Sequence, residues 1–174
     1  MTVYMGLDLS FAKTGYAIVE VIDGVVSILD KGLIKTDPKQ TEHERIHYTT
    51  TSIEFLAMQY RPEVIVKEGS VVGRTSTAMP VLKTHGAYEQ KMCWRYELHD
   101  FHNASIKKWA RDMLGVKGND KSIVGQAVVK RFGEVNGLYT ARGKYNDDIG
   151  DAIACITAWL EREGIVDKVK EDVE

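Results

Sequence analysis

Residues 1–20 read MTVYMGLDLSFAKTGYAIVE. Two runs rich in Val, Ile, Leu and Tyr flank the polar break Lys13-Thr14-Gly15, the pattern of two strands joined by a short connection. A third β-like run over residues 25–34 follows the turn residues Asp23-Gly24, so the chain is expected to open as an antiparallel meander. Asp8 stands at the end of the first run, one residue beyond Leu7. Burying an ionised carboxylate costs on the order of several kcal/mol unless it is paired or bound to a cation. The rest of the chain should therefore supply what Asp8 needs.

Asp37-Pro38 and the spacing Thr41-x-x-Glu44 mark the start of a helix whose apolar residues Ile46, Ile53, Leu56 and Tyr60 keep helical spacing up to Pro62. Val64-Ile65-Val66 then reads as a fourth strand buried on both faces. Residues 76–94 are predicted helical with a break near Pro80, and residues 95–101 form a fifth strand. Two short helices follow, one over residues 105–114 stopped by Gly115, the other opening behind Asn119-Asp120 and stopped by Gly133. A last helix begins at Asn146-Asp147 and runs through Ile149, Ile153, Ile156 and Leu160. The order predicts an α/β fold with one mixed five-stranded sheet flanked by helices, in a single domain over residues 1–174 with an acidic tail from about residue 161.

Composition excludes several classes. No run approaches the roughly 18 apolar residues of a membrane span, and no basic region leads into a long apolar stretch, so a cytoplasmic protein without a membrane partner is expected. Cys93 and Cys155 lack metal-ligand spacing and sit in segments that read as buried, which favours reduced thiols. A net charge of −2 hides an uneven distribution. Residues 105–133 carry Lys107, Lys108, Arg111, Lys117, Lys121, Lys130 and Arg131 against only Asp112 and Asp120, while acidic residues dominate after Leu160. A basic segment of this kind suits either a solvated face or a phosphate backbone.

Three more carboxylates join Asp8. Glu68 follows the buried Val64-Ile65-Val66 run after Lys67, and Asp148 and Asp151 stand three apart at the start of the last helix, where they share a face. Each has a simpler reading as a turn former or a helix cap. Together, clustered carboxylates repel unless a cation holds them, and hard oxygen ligands select Mg²⁺ or Mn²⁺. Two such ions about 4 Å apart can activate water and stabilise a leaving oxygen in phosphodiester cleavage.

The ordered set GLDLS, TGYAIVE, VIVKEGS, IKKWARDML, NDKSIVGQAV and DDIGDAIACITAW, spanning residues 3–159, resembles the RuvC-type Holliday junction resolvases, and more closely their bacteriophage branch than the bacterial enzymes. The resemblance implies a ribonuclease H-like fold, a homodimer, and Mg²⁺-dependent nicking of four-way and other branched DNA. It implies two ions per site, with Mn²⁺ as a substitute, and for a phage protein the cytoplasm of a bacterial host. It places the catalytic and metal-binding carboxylates at Asp8, Glu68, Asp148 and Asp151, and DNA contacts at Lys107, Lys108 and Lys121. Asp147 beside Asp148 leaves the third carboxylate open between the two, the D-x-x-D spacing favouring Asp148. Bacterial members carry a junction-probing aromatic residue soon after the second acid; Gly69-Ser70-Val71-Val72 has none, so no base-step preference transfers. The dimer helix would lie in residues 76–94, with Met79, Val81, Leu82, Ala87, Tyr88 and Met92 as its apolar surface. His85, His99 and His102 read as structural or surface residues.

Three other functions fit part of the pattern. GLDLSFAKTG also resembles the phosphate loop of actin-like phosphotransferases, but those need two such domains around a nucleotide. Another ribonuclease H-like nuclease would share the acids without the late basic helices. A non-catalytic junction-binding protein would tolerate their loss.

Overall fold

The computed structural model describes residues 1–69, 78–118, 122–140 and 142–168. Its elements are β1 (Thr2–Asp8), β2 (Lys13–Ile22), β3 (Val25–Lys35), α1 (Glu42–Tyr60), β4 (Val64–Glu68), α2 (Ala78–Met92), β5 (Glu97–Phe101), α3 (Asn103–Leu114), α4 (Ser122–Phe132) and α5 (Asp147–Arg162). The five strands form one mixed sheet in the order β3-β2-β1-β4-β5. The meander pairs antiparallel, with Asp8 opposite Gly15, while β1 runs parallel to β4, and β4 to β5. This is the mixed five-stranded sheet expected, and β1 lies at its centre.

Alternation along the strands sorts the core into two layers. Val64, Val66, Tyr4 and Ala17 face α5, behind which α3 and α4 pack; Met5, Leu7, Ile18 and Ile65 face the α1 and α2 side with Ile53, Ala57, Tyr88 and Met92. Helix α5 is buried almost all round because it lies between the sheet and the α3–α4 pair. It crosses the sheet at close range. A Cβ at Gly6 would stand 2.8 Å from Cβ of Ile156 and would also strike the Ala152 carbonyl, so only glycine lets the helix lie there.

Local signals explain the boundaries. Thr41 caps α1 in a reciprocal capping box with Glu44, and Gly115 ends α3 in the left-handed region at φ 67°. Three expectations need correction. Pro80 does not break α2: it lies in the first turn of the described helix, where its missing N–H has no intrahelical bond to make. Cys93 is exposed, whereas Cys155 is buried. Tyr88 and Met92 do not add to an outer surface, because both are fully buried against the sheet. Among the described residues no helix is long and apolar enough to cross a membrane.

Candidate active site

The parallel pairing of β1 with β4 aligns Leu7 with Lys67, which sets Asp8 beside Glu68 at the end of the two central strands. Both acids fall on the α5 side by strand alternation. The start of α5 is brought over them by Gly15: a Cβ there would collide with the backbone carbonyl of Asp148. Asp148 and Asp151, three apart, thus share the helix face nearest the strand ends. The neighbouring candidate differs, since the Asp147 side chain is 66% exposed and that of Asp148 only 19%.

Electrostatics tie the four acids together. Burial, then Glu68, Asp151, Asp148 and Asp147, push the Asp8 carboxyl up to about 8. Burial, then Glu68, Asp147 and Asp148, raise Asp151 to about 7, while Lys107 acts in the opposite sense. Each shift has the sign expected when carboxylates crowd in a partly desolvated space. Crowding of this kind favours the protonated form until a cation offsets the charge. As placed, no group of three or more His, Cys, Asp or Glu among the described residues has donors positioned to hold a metal ion.

Two further residues, missed in the sequence, touch the acids. Lys13 ion-pairs with Asp148 and lies 3.9 Å from Asp147. Its backbone is fixed because Ser10 and Thr14 close the β1–β2 connection: Ser10 Oγ donates to the Lys13 carbonyl at 2.7 Å and Thr14 Oγ1 to the Ser10 carbonyl at 2.9 Å. The Asn103 side-chain amide donates to Glu68 from the start of α3. Tyr145 is a third. Its ring lies between Gly125 of α4 and Gly150 of α5, where a Cβ at Gly125 would sit 2.6 Å from Cε2 and one at Gly150 would strike the hydroxyl. Burial first, then Asp151, raises the Tyr145 phenol. The Ser10 and Thr14 hydroxyls are visible signals for the connection, but nothing local links Lys13, Asn103 or Tyr145 to the acids.

The basic candidates separate. Lys107 is close enough to Asp151 to favour its ionised form. Lys108, about 100° further round the helix, lines a groove of about 270 Å³ with Ser105, Trp109 and Arg162. Lys121 lies outside the described residues. The histidines take structural or surface positions: buried His85 bonds the Leu9 carbonyl at 3.1 Å, His99 pairs with Glu97 at 2.7 Å, and His102 precedes α3 without a side-chain cap.

The order β3-β2-β1-β4-β5, with the long helix α5 crossing one face, defines a ribonuclease H-like domain. The profile of the family described as "Crossover junction endodeoxyribonuclease RuvC" matches residues 4–158, and the chain belongs to that family. It is similar to the protein of that name from Brachyspira hyodysenteriae, 26% identical over 168 residues that cover 95% of this chain and 98% of the relative. The Synechococcus sp. (strain CC9902) protein of the same name is 27% identical over 160 residues, 91% of this chain and 98% of that one. In fold it resembles T. thermophilus RuvC in complex with Holliday junction substrate, with a TM-score of 0.74, 18% identity and coverage of 95% and 98%. The yeast mitochondrial Holliday junction resolvase matches with a TM-score of 0.71, 13% identity and coverage of 93% and 79%.

Proposed function

We propose that this crossover junction endodeoxyribonuclease cuts four-way DNA by hydrolysing phosphodiesters at the cleft formed by Asp8, Glu68, Asp148 and Asp151, acting as a homodimer. The observation that carries the reading is the approach of acids from three elements: the β1–β4 register sets Asp8 beside Glu68, and the close contact at Gly15 brings the start of α5, with Asp148 and Asp151, over them. Four hard oxygen donors of like charge fit Mg²⁺ or Mn²⁺ in pairs. When bound, such ions supply a Lewis acid and a water of lowered pKa. The protein's own groups do the rest. Asp8 and Glu68 fix the position of the cut on two adjacent strands, and Asn103 orients the Glu68 carboxylate. Asp148 is neutralised by Lys13 until substrate arrives. Lys107, near Asp151, draws the scissile phosphate toward the acids, and Lys108 and Lys121 hold backbone phosphates further along.

The homodimer reading rests on exposed apolar side chains of one flank: Met79 on α2 and Trp94 just beyond it, with Tyr48, Phe55 and Met58 on α1. A two-fold partner matches the near two-fold symmetry of a four-way junction. In mixed dimers with Asp8→Asn subunits, a junction held in a cruciform plasmid should yield nicked circles in place of linear molecules.

The deciding experiment incubates end-labelled four-way, three-way and linear DNA with the protein in Mg²⁺ or in Ca²⁺. Nicking of branched DNA in Mg²⁺, with binding but no cutting in Ca²⁺, is expected, because the larger ion tolerates looser coordination. Equal cutting of linear duplex would overturn the reading.

A further inference from the structure

The face of the sheet opposite the acids holds a second polar cluster that the cleavage reading leaves without a task. Lys67 is 2% exposed, although it lies next to Glu68 in the middle of the sheet. By strand alternation its side chain leaves on the α2 side, where it meets Glu89 of α2 at 3.1 Å and Asp100, its neighbour in register on β5. One turn earlier on α2, His85 is also buried, and its Nε2–H donates to the carbonyl of Leu9 at 3.1 Å. His85 and Glu89 are four residues apart and share a helix face. That face therefore grips the residue immediately after Asp8 and the residue immediately before Glu68.

A buried lysine is a poor source of stability, since desolvation cancels much of what its ion pairs return. Its carboxylate partners are half exposed or more and could be satisfied by water. What the arrangement does supply is geometry. The two catalytic strand ends are tied by polar bonds to one rigid helix, and that helix begins within ten residues of Glu68. Shifting α2 along its axis would pull Leu9 and Lys67 together and carry Asp8 and Glu68 with them.

Resting on the cleavage reading above, we propose that His85 and Lys67 are positioning residues through which α2 sets the spacing of Asp8 and Glu68, and so the fit of the acidic cleft to its ions. Glu89 and Asp100 hold the Lys67 ammonium in place. The helix that bears the exposed Met79 at its start is then mechanically continuous with the acids, so that whatever packs against it bears on the spacing of the cleft.

The test uses the full chain with Lys67→Met, Lys67→Arg, His85→Leu and His85→Gln. Lys67→Met leaves no buried charge, because both partner carboxylates reach solvent, so folding should survive and is checked by the melting temperature. Mn²⁺ binding without DNA is followed by electron paramagnetic resonance, junction affinity is measured in Ca²⁺, and the cleavage rate is measured at saturating protein. Lys67→Met and His85→Leu should weaken Mn²⁺ binding and slow cleavage by about 10-fold or more, the range seen when partners that orient metal ligands are removed. Junction affinity should stay within about twofold. His85→Gln, whose amide can still donate to Leu9, and Lys67→Arg should recover most of the loss. Lower melting temperatures with unchanged Mn²⁺ affinity and rate would overturn the proposal and leave the cluster a structural one. A wild-type protein that bound no Mn²⁺ would overturn the metal reading itself, and this inference with it.

Discussion

The two faces of the sheet are held by different physics. On the α5 face, contact is steric: glycines at positions 6 and 15 let the helix backbone touch the strands, and side chains interlock around it. On the α1–α2 face, a smaller apolar layer is supplemented by polar ties between α2 and the strand ends, made by buried His85 and Lys67. Glu54 of α1 pairs with Lys91 of α2 at 2.8 Å and with Arg95, just beyond that helix, at 3.2 Å. Exposed pairs of this kind contribute about 0–1 kcal/mol each. Close packing tolerates little displacement, whereas polar ties can be broken and remade. The acids therefore sit between two differently made walls: α5 with Asp148 and Asp151 is seated by close packing, and the strands bearing Asp8 and Glu68 are fastened from behind by the polar bonds of α2.

The largest effect should come from the acids themselves. Asp8→Asn is expected to lower nicking by about 10³-fold or more while junction affinity in Ca²⁺ is retained, since the amide keeps the shape and loses the charge where Coulomb effects are strongest. The same change should raise the melting temperature of the metal-free protein at pH 7, because folding then no longer has to protonate a carboxyl that is buried and crowded by other acids. A melting temperature unchanged or lowered in the absence of divalent ions would show that the cluster is not repulsive.

Next in size is a steric probe of the rigid wall. Gly15→Ala places a Cβ against the Asp148 carbonyl, backbone against backbone, and should cost about 3 kcal/mol or more. In a chain of this length that lowers the melting temperature by roughly 6–12 °C. Its counterpart on the other face is Gly86, in α2, whose added Cβ would meet nothing within 4 Å. Gly86→Ala should stabilise by about 0.5–1 kcal/mol through helix propensity alone. Equal tolerance at the two glycines, read by thermal melts, would erase the contrast between the faces. Between these extremes lies Lys107→Ala, expected to slow cleavage by about 10-fold and to lower the salt slope of junction binding by about one, as for a lost phosphate contact. Lys108→Ala should lower the slope equally with the rate at saturation preserved.

Much of the fold was legible because its signals are local. Thr41 with Glu44, Gly115 and Gly133 mark element ends within a few residues, and strand alternation assigns Asp8 and Glu68 to one face once β1 and β4 are neighbours. The same holds for Asp148 and Asp151, whose spacing is a helical repeat. Lys13 escaped because its partner lies 135 positions away, brought near only by the glycine contact at position 15. Asn103 and Tyr145 escaped for the same reason. Tyr88 and Met92 read as outer surface because helical spacing gives an apolar stripe without saying whether the sheet or a second chain covers it.

In the proposed cleft the four acids act as one electrostatic unit that exchanges protons for a divalent cation. Because Asp8 and Asp151 stand at about 8 and about 7 in the folded chain, well above ordinary carboxylates, the folded state holds more protons than the unfolded one between about pH 4 and 8. Metal-free stability should then fall as pH rises through that window. Ion binding must displace those protons. Titrating the metal-free protein with Mg²⁺ by calorimetry at pH 7, in two buffers of different ionisation enthalpy, counts them directly. Release of about one proton or more per chain is expected at pH 7, close to none at pH 9, with a marked drop in Asp8→Asn. Binding without proton release at pH 7, or release that Asp8→Asn leaves unchanged, would contradict that exchange.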